Sequence, residues 1–220
     1  MADIALITGM QSIPDSVIAG WHARLPANDD ERLRHITHPG RRREFIVARS
    51  LLQALSHCVT GEYGVVSYTE TGKPQWLTNT QQRLACTISH SHGAVLVGLN
   101  CNGGIGVDIE TRRDRHNKRL VSRYFDESAA KTYAAKSASE KIEFFYRYWC
   151  DREALVKFDG TRPLLQLLGM PLEIAPKVQH QHLHTVDFTL SAIYRGSKAN
   201  WLRASVQDTD LTLSAWTPQL

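Results

Sequence analysis

The sequence predicts an α+β fold, and three observations carry that reading. Apolar residues recur at three-to-four spacing over residues 41–58, and short period-two segments follow between 65 and 110. A second helical block covers about 126–158, and a second set of short strands fills 183–216. Helices and strands stand in separate blocks instead of alternating βαβα, which disfavours a doubly wound parallel sheet.

Each element has its own signal. Residues 4–8 read as a strand, and 15–25 as a short helix capped by Ser12 or Asp15. Phe45, Ala48, Leu51, Leu52 and Leu55 mark the helix over 41–58, which Gly61 and Gly64 end. Residues 65–69 form a strand, and Thr71-Gly72-Lys73-Pro74 a turn. Strands at 84–91, 94–100 and 105–110, joined by turns at Ser91-His92-Gly93 and Asn102-Gly103-Gly104, predict an antiparallel meander. A helix from Asp126 or Ser128 to about Ala138 precedes a long one over 139–158, stopped by Gly160 and Pro163. Residues 183–191, 192–194, 201–206 and 211–216 alternate like short strands.

A length of 220 residues suits one domain or two small halves sharing a core. The expected boundary gives residues 1–104 and 105–220, with no flexible linker. At 42% hydrophobic residues the chain is an ordinary globule and not a disordered one. No apolar run is long enough to span a membrane, and the Asp3-containing start reads as a strand, not a signal peptide. Cys58, Cys86, Cys101 and Cys150 show no CxxC pairing, so a reducing cytoplasm is expected.

The net charge of +4 is mild, but its distribution is uneven. Seven Arg stand between Arg24 and Arg49 against four acids, and six Lys or Arg between Arg112 and Arg123 against Asp114 alone. Such stretches suit a phosphate-rich ligand or an acidic partner surface. A nucleic-acid module would interleave aromatics with these arginines, and they are scarce there.

The candidate chemistry starts at Gly106-Val107-Asp108-Ile109-Glu110. On a strand, Asp108 and Glu110 share one face. Two neighbouring carboxylates repel unless a cation lies between them, and oxygen ligands favour a hard ion such as Mg²⁺. On the long helix, Trp149, Glu153 and Lys157 form one stripe, so Glu153 can complete a three-carboxylate set with Lys157 facing a phosphate. Ser89 and His90 are phosphate donors at a strand end. His180, His182 and His184 share one strand face, read as solvated. Arg41–Arg43 open a helix, where the dipole disfavours cations. Arg49 interrupts an apolar face, and Lys73 sits in the Gly-Lys-Pro turn.

These segments occur in one order that resembles the 4′-phosphopantetheinyl transferases, in particular the pseudo-dimeric type that activates surfactin synthetase. The matching segments are Arg42-Arg43-Glu44-Phe45 through Arg49-Ser50-Leu51-Leu52, Gly72-Lys73-Pro74, Ile88-Ser89-His90-Ser91, Gly106-Val107-Asp108-Ile109-Glu110, and Phe144-Phe145 through Trp149 with Glu153-Ala154 and Lys157. The chain departs from the family at Arg152, where Lys is usual, and after Lys157, where only Gly160 and then Pro163 follow.

The resemblance implies two similar α+β halves with small antiparallel sheets about a pseudo-twofold axis, the C-terminal half carrying the metal site. It implies transfer of the 4′-phosphopantetheine arm from coenzyme A to a serine of an apo carrier protein, releasing 3′,5′-adenosine bisphosphate. Asp108, Glu110 and Glu153 match the Mg²⁺ (or Mn²⁺) ligands. Glu153 also matches the residue that deprotonates the serine, directly or through water, and Lys157 the phosphate-binding catalytic lysine. Ser89, His90, Lys73, Arg49 and Arg43 match coenzyme A contacts, together with Asp108 and Lys157. The implied partner is an acyl, peptidyl or aryl carrier protein with an acidic surface, serving fatty acid, polyketide or nonribosomal peptide synthesis. A cytoplasmic monomer without nucleic-acid or membrane partners is expected. The other reading is a degenerate member that binds coenzyme A or a carrier without turnover.

Overall fold

Strand β1 (Ala2–Ile7) is buried along its whole length, because both its edges are paired and both its faces are covered. The structure is a computed structural model that describes residues 1–70, 72–113 and 117–217. Thr71 of the expected turn and Asp114 of the second basic stretch lie outside the described residues. After β1, a 3-10 turn (Met10–Ser12) leads to α1 (Asp15–His22), α2 (Ala27–Arg34) and α3 (Pro39–Thr60). Strands β2 (Gly64–Tyr68), β3 (Pro74–Thr78), β4 (Arg83–Ser91), β5 (Ala94–Asn100) and β6 (Ile105–Thr111) follow. Helices α4 (Lys118–Tyr124), α5 (Glu127–Ala135), α6 (Ala138–Asp159) and α7 (Leu164–Leu168) come next. The described chain closes with β7 (Val178–His184), β8 (Phe188–Arg195), β9 (Ala199–Gln207) and β10 (Asp210–Ala215).

The architecture is α+β. One sheet has the order β10-β9-β1-β5-β4-β3-β2, antiparallel except where β1 runs parallel to β9. The other is the antiparallel set β6-β8-β7. They pack face to face: Ile4, Leu6 and Leu96 meet Ile105, Val107, Leu190 and Ala192. The opposite face of the larger sheet, through Ile7, Val95, Val97 and Leu99, buries Leu51, Leu52 and Leu55 of α3. Helix α6 covers the outer face of the smaller sheet. It approaches so closely that a Cβ at Gly106 would run into the Ala154 carbonyl and the Phe158 amide.

Both long helices are stopped by a glycine in the left-handed region, Gly61 after α3 and Gly160 after α6. Ser137 and Glu140 form a capping box on α6, and Asp126 accepts the Ala129 N–H at the start of α5.

Three sequence expectations change. The meander ends after β4 and β5, because β1 occupies the free edge of β5 and β6 pairs with β8 instead. Residues 183–191 are not one strand but the junction of β7 and β8. The alternating pattern runs on through the turn because Val186 sits at its tip, 92% exposed. Helix α2 was not visible because only Asp29 and Leu33 in it are buried. Among the described residues, no helix is long and apolar enough to cross a membrane.

Candidate active site

The site is built on β6, whose second edge has no strand beside it. The side-chain hydroxyls of β4 take that place. Thr87, Ser89 and Ser91 accept the backbone N–H groups of Val107 (3.3 Å), Ile109 (3.4 Å) and Thr111 (3.1 Å). Buried amides need such acceptors. The arrangement fixes the rotation of β6. Ile105, Val107 and Ile109 face the larger sheet, so Asp108 and Glu110 face α6.

Asp108 is 4% exposed. Its Oδ1 accepts hydrogen bonds from Ser89 Oγ and Lys157 Nζ, each at 2.8 Å, and Lys157 Nζ also donates to Ser89 Oγ at 2.8 Å. Asp108 Oδ2 is buried without a hydrogen-bond partner. Ser91 Oγ donates to Glu110 Oε2 at 3.1 Å. Burial, and then the charge of Asp108, push the Glu110 carboxyl up to about 7. The same two causes, in the same order, raise Glu153, while Lys157 pulls it back. The Cys150 thiol, fully buried on α6, is pushed up by burial and by the charges of Asp108 and Glu110.

Two carboxyls whose proton affinity is raised by burial and by the charge of Asp108, beside an Asp108 oxygen buried without a hydrogen bond, are short of positive charge. An oxygen-only donor set of this kind fits a hard divalent cation. Asp108, Glu110 and Glu153 do not gather within 4.8 Å of one another. Among the described residues, the ligand-type side chains that do are Asp151, His180 and His182. A cavity of about 140 Å³ opens beside Glu110, lined by His92, Thr111, Tyr146 and Trp149. A larger cavity, about 940 Å³, lies elsewhere, against Trp21, Gln53, His57 and Leu213.

The other expected residues separate into two groups. Lys73 reaches the end of α6, where Nζ donates to the Phe158 carbonyl. Burial lowers its pKa, and Asp159 opposes the shift. Ser89 faces Asp108, but His90, next along β4, is exposed and lies 3.4 Å from Glu44 of α3. Arg49 is buried in a 2.8 Å pair with Asp29 and lies over the Phe45 ring. Arg43 donates to the Met10 and Ile13 carbonyls and pairs with Asp15 at 2.6 Å. Arg42 donates to the carbonyls of Leu33 and Ile36. Arg42 and Arg43 at the start of α3 are therefore relieved by backbone carbonyls and an aspartate of the chain itself.

The face that Asp108 shares with Glu110 is covered by α6. One expectation about surroundings is corrected. The His180–His184 face is not solvated: His182 and His184 are half-buried, and His180 bonds Asp151. Sequence reasoning missed Thr87 and Ser91 as partners of Ser89, although hydroxyls at alternate positions on a strand were a readable signal. It also missed the place of Arg152, which is 4% exposed and donates to the carbonyls of Leu167 and Met170, each at 2.9 Å. The guanidinium ties α6 to the segment after Lys157, a fork a lysine does not supply.

Known proteins resemble this chain in sequence. Residues 104–214 match the family model of the 4′-phosphopantetheinyl transferase superfamily. The chain is 28% identical over 152 residues to 4′-phosphopantetheinyl transferase HetI of Nostoc sp., covering 67% of this chain and 64% of that protein. It is 33% identical over 121 residues to 4′-phosphopantetheinyl transferase AcpT of Escherichia coli O157:H7, covering 54% and 59%. The corresponding protein of Salmonella typhi is 33% identical over 122 residues, covering 54% and 60%. The chain thus spans about three-fifths of the length of these relatives. With the family model matching half of its residues, the chain belongs to the 4′-phosphopantetheinyl transferase superfamily.

Proposed function

We propose that this chain transfers the 4′-phosphopantetheine arm of coenzyme A to a serine hydroxyl of an apo carrier protein, with Mg²⁺, releasing 3′,5′-adenosine bisphosphate. The observation that carries the reading is the buried Asp108 carboxylate, held by Ser89 and Lys157 on one oxygen and lacking any partner on the other. Asp108, Glu110 and Glu153 would hold the Mg²⁺, with Mn²⁺ able to replace it. When bound, the cation neutralises charge on the phosphate oxygens, which phosphoryl transfer requires.

The side chains supply the rest. The serine oxygen forms a bond to phosphorus while the pyrophosphate P–O bond to 3′,5′-adenosine bisphosphate breaks. The serine proton goes to Glu153, directly or through water. Burial and the neighbouring Asp108 make Glu153 a stronger base than an ordinary carboxylate. Lys157 Nζ offers hydrogen bonds to the departing phosphate, trading part of its contact with Asp108. Ser89, Lys73 and His90 are proposed as further coenzyme A contacts. Arg49 and Arg43 would reach it only by giving up their pairs with Asp29 and Asp15.

The partner proposed is an acyl, peptidyl or aryl carrier protein with an acidic surface, complementary to the +4 net charge. A cytoplasmic monomer, divided at 104/105 into two related halves, is part of the same reading. It is supported by the two 22-residue helices, one on each sheet. The test is mass spectrometry of an apo carrier protein after incubation with coenzyme A, Mg²⁺ and this chain. A gain of one phosphopantetheine unit that a chelator abolishes supports the reading. No gain on fatty acid, polyketide and peptide carriers, with coenzyme A still bound, overturns it in favour of a binder without turnover.

A further inference from the structure

Asp151 lies on the opposite side of α6 from Glu153. Asp151 and Glu153 are two residues apart, about 200° around the helix. Asp151 is 5% exposed and turns toward β7. There His180 Nε2 lies 2.8 Å from Asp151 Oδ1 and 3.4 Å from Ser191 Oγ. One ligand atom each from Asp151, His180 and His182 falls within 4.8 Å of the others. His182 stands in a row between His180 and His184, with ring centroids 5.9 Å apart on both sides and the rings tilted by 47° and 59°. Thr189 Oγ1 holds His184 Nδ1 at 3.1 Å, and His184 Nε2 is buried without a hydrogen bond, 3.6 Å from Glu143.

We propose that Asp151, His180 and His182 form a second metal site, distinct from the Asp108 cluster and suited to Zn²⁺, that pins β7 to α6. The donor set is two imidazoles and one carboxylate, which favours a borderline ion over Mg²⁺. Ligand atoms around a tetrahedral zinc at about 2.0 Å stand roughly 3.3 Å apart, so atoms now within 4.8 Å of one another must close on the ion by side-chain rotation. Three protein ligands leave a fourth position for solvent. Ligation through His180 Nε2 requires the ring hydrogen to sit on Nδ1, in place of the contact with Asp151 Oδ1, since a ligating imidazole nitrogen must be unprotonated. Cations oppose the site: Arg152 of α6 and Arg112 act on the cluster from nearby, and Arg147 Nε lies 4.0 Å from Asp151 Oδ2, although the Arg147 side chain is 54% exposed and can swing into solvent.

The test uses Co²⁺ as a spectroscopic probe on the full chain in excess Mg²⁺, followed by displacement with Zn²⁺. The expected result is one Co²⁺ per chain with a visible ligand-field band. That band should survive Asp108→Asn, weaken about tenfold or more in affinity in His182→Gln and His180→Gln, and disappear with Zn²⁺. No band, a band untouched by both histidine variants, or one abolished by Asp108→Asn overturns the proposal. Should the variants not fold, histidine-ring NMR of the unmutated chain decides. Selective Co²⁺ broadening of the His180 and His182 rings supports the site, and broadening elsewhere overturns it.

Discussion

Ser89 Oγ donates to Asp108 Oδ1 at 2.8 Å while accepting the Ile109 amide, so one hydroxyl of β4 both seats β6 and aims its carboxylate. Ser89→Ala should therefore affect stability and activity together. Loss of two buried partners should cost ~1–3 kcal/mol, read from the denaturant midpoint. Carrier modification should fall in the same variant. An unchanged midpoint would show that β6 is held without the hydroxyl.

Lys157 shares that hydrogen-bond triangle with Ser89 and Asp108. If it acts on the departing phosphate, Lys157→Ala lowers kcat about a hundredfold and moves KM little. Steady-state kinetics with coenzyme A varied would check this. An effect confined to KM would make the lysine a ground-state phosphate clamp.

Glu110 sets a pH dependence with a definite sign. Its folded pKa of about 7 lies above the ordinary 4.5, so its contribution to stability is complete below about 4.5 and lost as pH rises through about 7. Without divalent cation, Tm should decline across that window, and Glu110→Gln should flatten the decline. Mg²⁺ binds the ionised carboxylates, so its stabilisation should be larger above pH 7 than below it. Equal Mg²⁺ shifts on both sides would count against Glu110 as a ligand.

Arg49 and Asp29 make a buried pair between α3 and α2. Arg49→Ala strands the aspartate and should cost ~3–5 kcal/mol. Asp29→Asn in the same chain should recover part of that loss. A double-mutant cycle by chemical denaturation measures the coupling. A fully folded Arg49→Ala with a raised KM for coenzyme A would instead support a substrate contact.

How much of this was readable in the sequence depends on what each residue needed to be seen. The repeat around Leu51, Leu52 and Leu55 displays α3 directly, since those residues share one buried face. Asp108 and Glu110 were legible as one-sided partners because strand alternation is local. Their burial was not, because it comes from α6, which arrives about 40 residues later. The pairing of β1 with β9 rests on contacts between opposite ends of the chain, for which no local pattern exists. Arg49 read as a ligand contact because Asp29 lies in α2, a helix with almost no apolar face to reveal it. The histidines of β7 read as solvated for the same reason: their cover, α6, belongs to another segment.

The most direct test of the central claim is Mn²⁺ occupancy by electron paramagnetic resonance, with coenzyme A present, in the unmutated chain and in Asp108→Asn. The account predicts Mn²⁺ bound by the unmutated chain, displaced by Mg²⁺, and an affinity about tenfold or more weaker in Asp108→Asn. Binding in Asp108→Asn as tight as in the unmutated chain would contradict a cation site headed by Asp108.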